Sequence, residues 1–312
     1  MAANKTTLKP AAEKLSLAVR KNVRDEWEAK RPGFEQELSD LLGEPWTITT
    51  NPSLIYANVE DSAYQSRIGE VISWYIERLV DNVKQFVSKF GDDGKAELNS
   101  AITQHVVDLG PQDSTSFTYG GLVVENGVLR LVYAAPRSFA ANTNSVSQDI
   151  AGALKTANAA SDSGKAYNLV ARNGVRDNYD SKVDEVREKI AWLVGVKEIK
   201  LAPHFEENAA ALSKSKDSRD DWDRILGKAT LDYFEGFADQ LTRTGFANDD
   251  MLQEGFQEAI TMNEIALRVV DKLEKGTYNE VVVKDGVAVL QTTPKYWWAN
   301  VGDIGSNILD VL

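Results

Sequence analysis

Two short runs hold the side chains best suited to gripping a ligand. Pro136-Arg137-Ser138-Phe139-Ala140-Ala141-Asn142 and Pro294-Lys295-Tyr296-Trp297-Trp298-Ala299-Asn300 share one order: proline, base, aromatic, alanine, asparagine. A cationic head beside an aromatic face can hold an anionic or aromatic ligand through charge and the ring quadrupole. The candidate ligand-binding residues are therefore Arg137, Phe139 and Asn142 in the first run and Lys295, Trp297, Trp298 and Asn300 in the second. Adjacent Trp297 and Trp298 point in different directions, which favours the second run because one ring can meet solvent. A structural use competes with this one. Proline after a strand ends ladder pairing, the ring buries, and asparagine turns the backbone, all without a ligand.

Familiar catalytic spacings are absent. The chain has no G-x-S-x-G, G-x-G-x-x-G or H-E-x-x-H. Gly91-Asp92-Asp93-Gly94-Lys95-Ala96 resembles a phosphate loop only loosely, with two residues between glycines where four belong and alanine in place of the magnesium-binding hydroxyl. Its aspartates suit a helix start better, since they favour the positive end of the dipole. His105 and His204 stand singly, and Asp217, Asp220, Asp221 and Asp223 lack the alternate oxygens and central glycine of a calcium loop. No metal site and no cofactor are expected. A carboxylate pair doing acid and base work meets in space and leaves no spacing in the sequence, so an enzyme reading stays open.

Arg24-Asp25 recurs as Arg176-Asp177. Neighbours one apart on a helix face different ways, so each pair is expected to reach another element, in a buried ion pair or a contact between the two halves of the chain.

The net charge is −12, and residues 1–157 hold 16 basic and 20 acidic side chains against 19 and 27 in the remainder. Neither half offers the clustered lysine and arginine that phosphate neutralisation requires, which disfavours nucleic acid. An acidic surface is also repelled by anionic lipid. Without cysteine there is no disulfide, thiolate metal site or cysteine nucleophile. No apolar run spans a bilayer and the beginning lacks a secretory core, so the cytoplasm is the expected compartment.

The element pattern that must position these residues is written twice. Val23-Arg24-Asp25, Leu41 and Gly43 return as Val175-Arg176-Asp177, Leu193 and Gly195; Gly69, Tyr75 and Asp81 return as Gly227, Tyr233 and Asp239. Thr118-Tyr119, Val123-Val124, Gly127-Val128 and Leu131 return as Thr277-Tyr278, Val282-Val283, Gly286-Val287 and Leu290. This repeat predicts a tandem duplication of one α+β module over 1–155 and 156–312, joined in the Ala-, Ser- and Gly-rich stretch 151–165. Each copy reads as a helix, a strand, two helices, a β-hairpin and a closing helix. The expected architecture is a pseudo-twofold pair with a largely antiparallel sheet covered by helices. Pro32 should split the first helix, whereas Asp184 at the matching place should let the second copy's helix run to Gly195. Asn126-Gly127 and Asp285-Gly286 predict tight hairpin turns. Trp74, Tyr75, Leu79, Val83, Leu98, Ile102, Val123 and Leu131 are the expected core of the first copy. Tyr233, Phe237, Leu241, Phe256, Ile260, Val282 and Leu290 are expected to match most of them.

Three functions fit. The first is a noncatalytic binding or assembly protein holding a small apolar or aromatic ligand at the seam of the copies, with a protein partner or self-association as its other outlet. The second is an enzyme with a carboxylate or tyrosine site between the copies. The third is a membrane-active, cytolysin-like defence protein that opens amphipathic helices onto lipid, a reading that rests on architecture alone.

Overall fold

The computed structural model describes residues 8–112, 117–135, 139–160 and 167–312. The chain divides into two compact units, Met1–Gly164 and Lys165–Leu312.

In the first unit, α1 (Leu17–Asn22) continues as a π-helical turn over Val23–Glu28, and α2 (Arg31–Leu42) follows with Pro32 in its first turn. Proline is tolerated there because that amide has no intrahelical partner, so the expected split falls where the chemistry allows it. Strand β1 (Thr47–Thr50) leads through the short helices α3 (Pro52–Ala57) and α4 (Ser62–Gln65) into α5 (Ile68–Ala101), which bends at Gly91, φ 60°. Strands β2 (Val106–Gln112), β3 (Gly120–Glu125) and β4 (Val128–Ala134) come next, then helices α6 (Thr143–Val146) and α7 (Ile150–Ala160). Most of the expected joint at 151–165 is thus helical.

The second unit opens with α8 (Leu169–Val175), a π-helical turn over Arg176–Asp180 and α9 (Val183–Leu193). The expected unbroken helix is therefore corrected. It breaks at Ser181-Lys182 without a proline, where Lys182 leaves the helical region at φ −132°. Then follow β5 (Lys200–Ala202), α10 (Phe205–Lys214), α11 (Trp222–Thr244), α12 (Asp250–Ala259), β6 (Glu264–Val269), β7 (Asn279–Lys284) and β8 (Val287–Thr292). The chain then runs through single 3-10 turns where the first unit has α6 and α7.

Each unit has its own four-stranded sheet, ordered β1-β2-β4-β3 and β5-β6-β8-β7. In both, the first three strands of that order run parallel and only the closing hairpin is antiparallel. The fold is α+β as expected, but the sheets are mixed, with the antiparallel part confined to the hairpin. The strands missing from the sequence reading are β2 and β6, the second in each order. They receive a helical crossover from β1 and β5, as parallel neighbours require.

The backbone departs from ordinary regions at matching places. The hairpin turns use Asn126-Gly127 at φ 52° and 73° and Asp285-Gly286 at 49° and 75°, the double positive φ of a primed turn. His105 and Asn263, Ala140 and Trp298, and Asn142 and Asn300 are likewise left-handed.

A second shared device is a close helix crossing. A Cβ on Gly69 would lie 2.6 Å from the Asn22 carbonyl oxygen, and one on Gly227 would lie 2.3 Å from that of Gly174. Glycine lets α5 pass against the end of α1, and α11 against α8, backbone to backbone.

Both cores form on the apolar stripe of the long helix. Tyr75, Leu79 and Leu131 are buried in the first unit, and Tyr233, Phe237, Leu241, Phe256 and Leu290 in the second. Val123 and Val282 are only half-buried, while their neighbours Leu122 and Val281 point inward. Trp74 is half-buried under the Arg67 guanidinium, 5.5 Å from its ring. At the outer edge of the second sheet, Asn307 pairs with β7 as a strand residue would. Val281 N–H donates to its Oδ1 at 3.0 Å, and its Nδ2 donates to the Val281 carbonyl at 2.7 Å.

Candidate functional site

The proline-base-aromatic runs show what the positive φ angles accomplish. In the second unit, Trp297 buries its ring 5.6 Å from that of Tyr233, while Trp298 turns left-handed and directs its N–H at the Tyr233 hydroxyl, 3.0 Å away. The single proton of that hydroxyl is within reach of Thr292 Oγ1 at 3.2 Å and of the Tyr296 carbonyl at 3.4 Å. Burial pushes the Tyr233 phenol up to about 12, against the pull of Thr292 and the Trp298 amide. The Trp298 indole N–H donates to Asp232 Oδ2 at 2.7 Å, under the Arg219 guanidinium. Asn300 is exposed, and its carbonyl accepts from Asn279 Nδ2 at 2.9 Å.

In the first unit, Phe139 is buried against Tyr75 and Tyr133, with ring centroids 6.0 and 5.0 Å away. Asn142 is exposed ahead of α6, and Arg137 lies outside the described residues. Thr292 of the second unit is replaced here by Tyr133. Among the described residues neither the Tyr75 nor the Tyr133 hydroxyl makes a hydrogen bond of normal geometry, and burial raises both pKa values. For Tyr75 the Ala140 amide, placed as Trp298's is, partly opposes that rise. Phe139 and Trp297 thus lie in the cores of their units.

One part of the second run faces a cleft of about 630 Å³. Lys295 and Tyr296, pinned from behind by Tyr233, form one side. The end of α10 supplies Lys214, Ser215 and Asp217, and the β6–β7 connection supplies Asp271, Lys272 and Thr277. Lys214, Lys272 and Lys295 make no ion pair among the described residues, and Lys295 Nζ sits 5.2 Å from the centre of the Tyr296 ring. The Tyr296 ring meets Tyr278 edge to face at 5.0 Å. Of these, Lys295 is a candidate from the sequence, whereas Lys214, Lys272 and Tyr296 are not. They lie far apart along the chain or, for Tyr296, beside two more conspicuous tryptophans.

The remaining candidates are surface pairs. Arg24 Nε donates to Asp25 Oδ1 at 2.7 Å, and Arg176 Nε to Asp177 Oδ1 at 2.9 Å. The expectation that such neighbours do not meet is overturned, because both pairs fall in a π-helical turn. There more residues share a turn, and successive side chains fan over a smaller angle. The Arg24 guanidinium, then Lys21, holds the Asp25 carboxyl down to about 2. Asp221 pairs with Arg219 at 2.9 Å, whereas Asp223 is buried and accepts from Asn168 Nδ2 at 3.0 Å. The acidic run therefore diverges, and among the described residues no group of three or more His, Asp or Glu is placed to hold a metal ion. No described helix is long and apolar enough to cross a membrane. No known protein family, curated protein or solved structure matches the chain.

Proposed function

We propose that the protein is a noncatalytic binding protein of two modules descended from one. Its ligand site is the cleft of the second unit, and the ligand is a small molecule joining an anionic group to an aromatic or apolar body. The observation that carries this reading is that Lys214, Lys272 and Lys295, none in an ion pair among the described residues, line one cleft with Tyr296 in a chain of net charge −12. Three ammonium groups against the two carboxylates of Asp217 and Asp271 leave the cleft an excess of positive charge for an incoming anion, and a ring braced edge to face by Tyr278 offers a stacking surface at low entropic cost. The common ancestry is supported by the matched strand orders, hairpin turns and glycine crossings.

Among the described residues the carboxyl groups whose pKa clearly moves, Asp25, Glu70, Glu207, Asp221 and Glu280, all move down. Each is then an ionised acceptor at neutral pH, whereas a general acid needs a raised value. The buried tyrosines move up and stay neutral.

A fluorescent probe of the right chemistry is 8-anilinonaphthalene-1-sulfonate. Saturable binding is expected, weakened roughly tenfold or more by K272E or K295E, which each reverse one charge in the cleft. Binding that ignores both substitutions would move the site elsewhere.

A further inference from the structure

The wall of the cleft formed by the β6–β7 connection is held by one carboxylate. Glu280, second residue of β7, is 4% exposed. Its Oε1 accepts the Glu274 N–H at 2.7 Å, and its Oε2 accepts those of Lys275 at 2.9 Å and Gly276 at 2.8 Å. Three successive amides converging on one anion make a nest, a backbone arrangement suited to negative charge. Burial alone would raise the Glu280 pKa, yet the three amides, aided by the Lys275 charge, bring it below the ordinary glutamate value. The connection fits tightly around this anchor: a Cβ on Gly276 would lie 2.3 Å from the Asn279 carbonyl oxygen. The second residue of β3 is Gly121, so the first unit has no carboxylate at this place.

We infer that Glu280 is the positioning residue of the cleft, fixing the 271–277 wall so that Lys272 faces Lys295 and Tyr296 across a preformed site. The inference rests on the cleft being the binding site proposed above. It also narrows the chemistry of recognition. Because Glu280 already occupies the amides of Glu274, Lys275 and Gly276, the anionic group of the ligand is met by lysine ammonium groups and not by that nest. Glutamine replaces it only in part, since its one oxygen can accept from Lys275 and Gly276 while its Nε2 turns its own N–H toward the Glu274 donor.

The test combines amide hydrogen exchange with probe titration on the full chain carrying E280Q. Exchange at Glu274, Lys275 and Gly276 is expected to quicken on the order of tenfold or more, with β6 and β8 protected as before. Affinity for 8-anilinonaphthalene-1-sulfonate is expected to fall roughly tenfold as the wall loses its fixed position. Unchanged exchange at the three amides overturns the anchoring role. Faster exchange with unchanged affinity overturns the link between wall and site. If the unsubstituted chain binds no probe, the binding reading fails by itself, and exchange still decides whether Glu280 anchors the wall. Should E280Q not fold, E280D keeps the charge, draws the carboxylate back by one methylene, and is read in the same two ways.

Discussion

Tyr75 and Tyr233 stand at matching places on the two long helices, both fully buried, yet their hydroxyls live differently. That of Tyr233 receives the Trp298 amide and reaches Thr292, whereas among the described residues that of Tyr75 makes no hydrogen bond of normal geometry, with only the Ala140 amide nearby. Removing a satisfied hydroxyl strands its partners, while removing an orphaned one takes away a desolvated group. Y233F is expected to lose about 1–3 kcal/mol and Y75F to be neutral or slightly stabilising, as urea unfolding midpoints would measure. An equal loss at both positions would mean that the Tyr75 hydroxyl has a partner after all. Truncating either ring to alanine is a larger change and should cost about 3–5 kcal/mol. At this scale the sequence marks the run 294–300, but not which of its rings turn inward. Burial chooses among neighbouring aromatics, and it sent Trp297 inward and left Tyr296 at the cleft.

The long helices depend on one glycine each. G69A pushes a methyl group into the Asn22 carbonyl, and since that obstacle is backbone it cannot turn aside. A cost of about 1–3 kcal/mol or more is expected. Gly33 in α2 has open space around its Cβ position, so G33A should gain about 0.5–1 kcal/mol from helix propensity. Thermal unfolding of the two variants checks the contrast, and a gain at G69A would refute the close crossing. The hairpins and long helices were legible because Asn-Gly turns and a 3.6-residue apolar period are local signals. Strand β2 was hidden by Gly110-Pro111 in its second half. Strand β6 was hidden by Ala266 and Leu267, which serve a helix as well as a strand. Parallel partners far along the chain settle such segments, and they leave no mark on the sequence nearby.

Each unit encloses its own core. In the second, Tyr233, Phe237, Leu241, Phe256, Leu290 and Trp297 pack in a cluster drawn entirely from residues after 170. Residues 165–312 expressed alone are expected to unfold cooperatively and to show the near-ultraviolet dichroism of fixed aromatic rings. A broad, featureless transition would count against the unit as an independent module.

An outer strand is also an invitation. With its amides bare, β7 could recruit a strand from another molecule, and that molecule a third, until the sheet lengthened into a fibre. The Asn307 carboxamide sits at Val281 and answers both of its polar groups, like a tile that finishes a row. Loss of that one short side chain would reopen the polar groups of Val281 to an incoming strand.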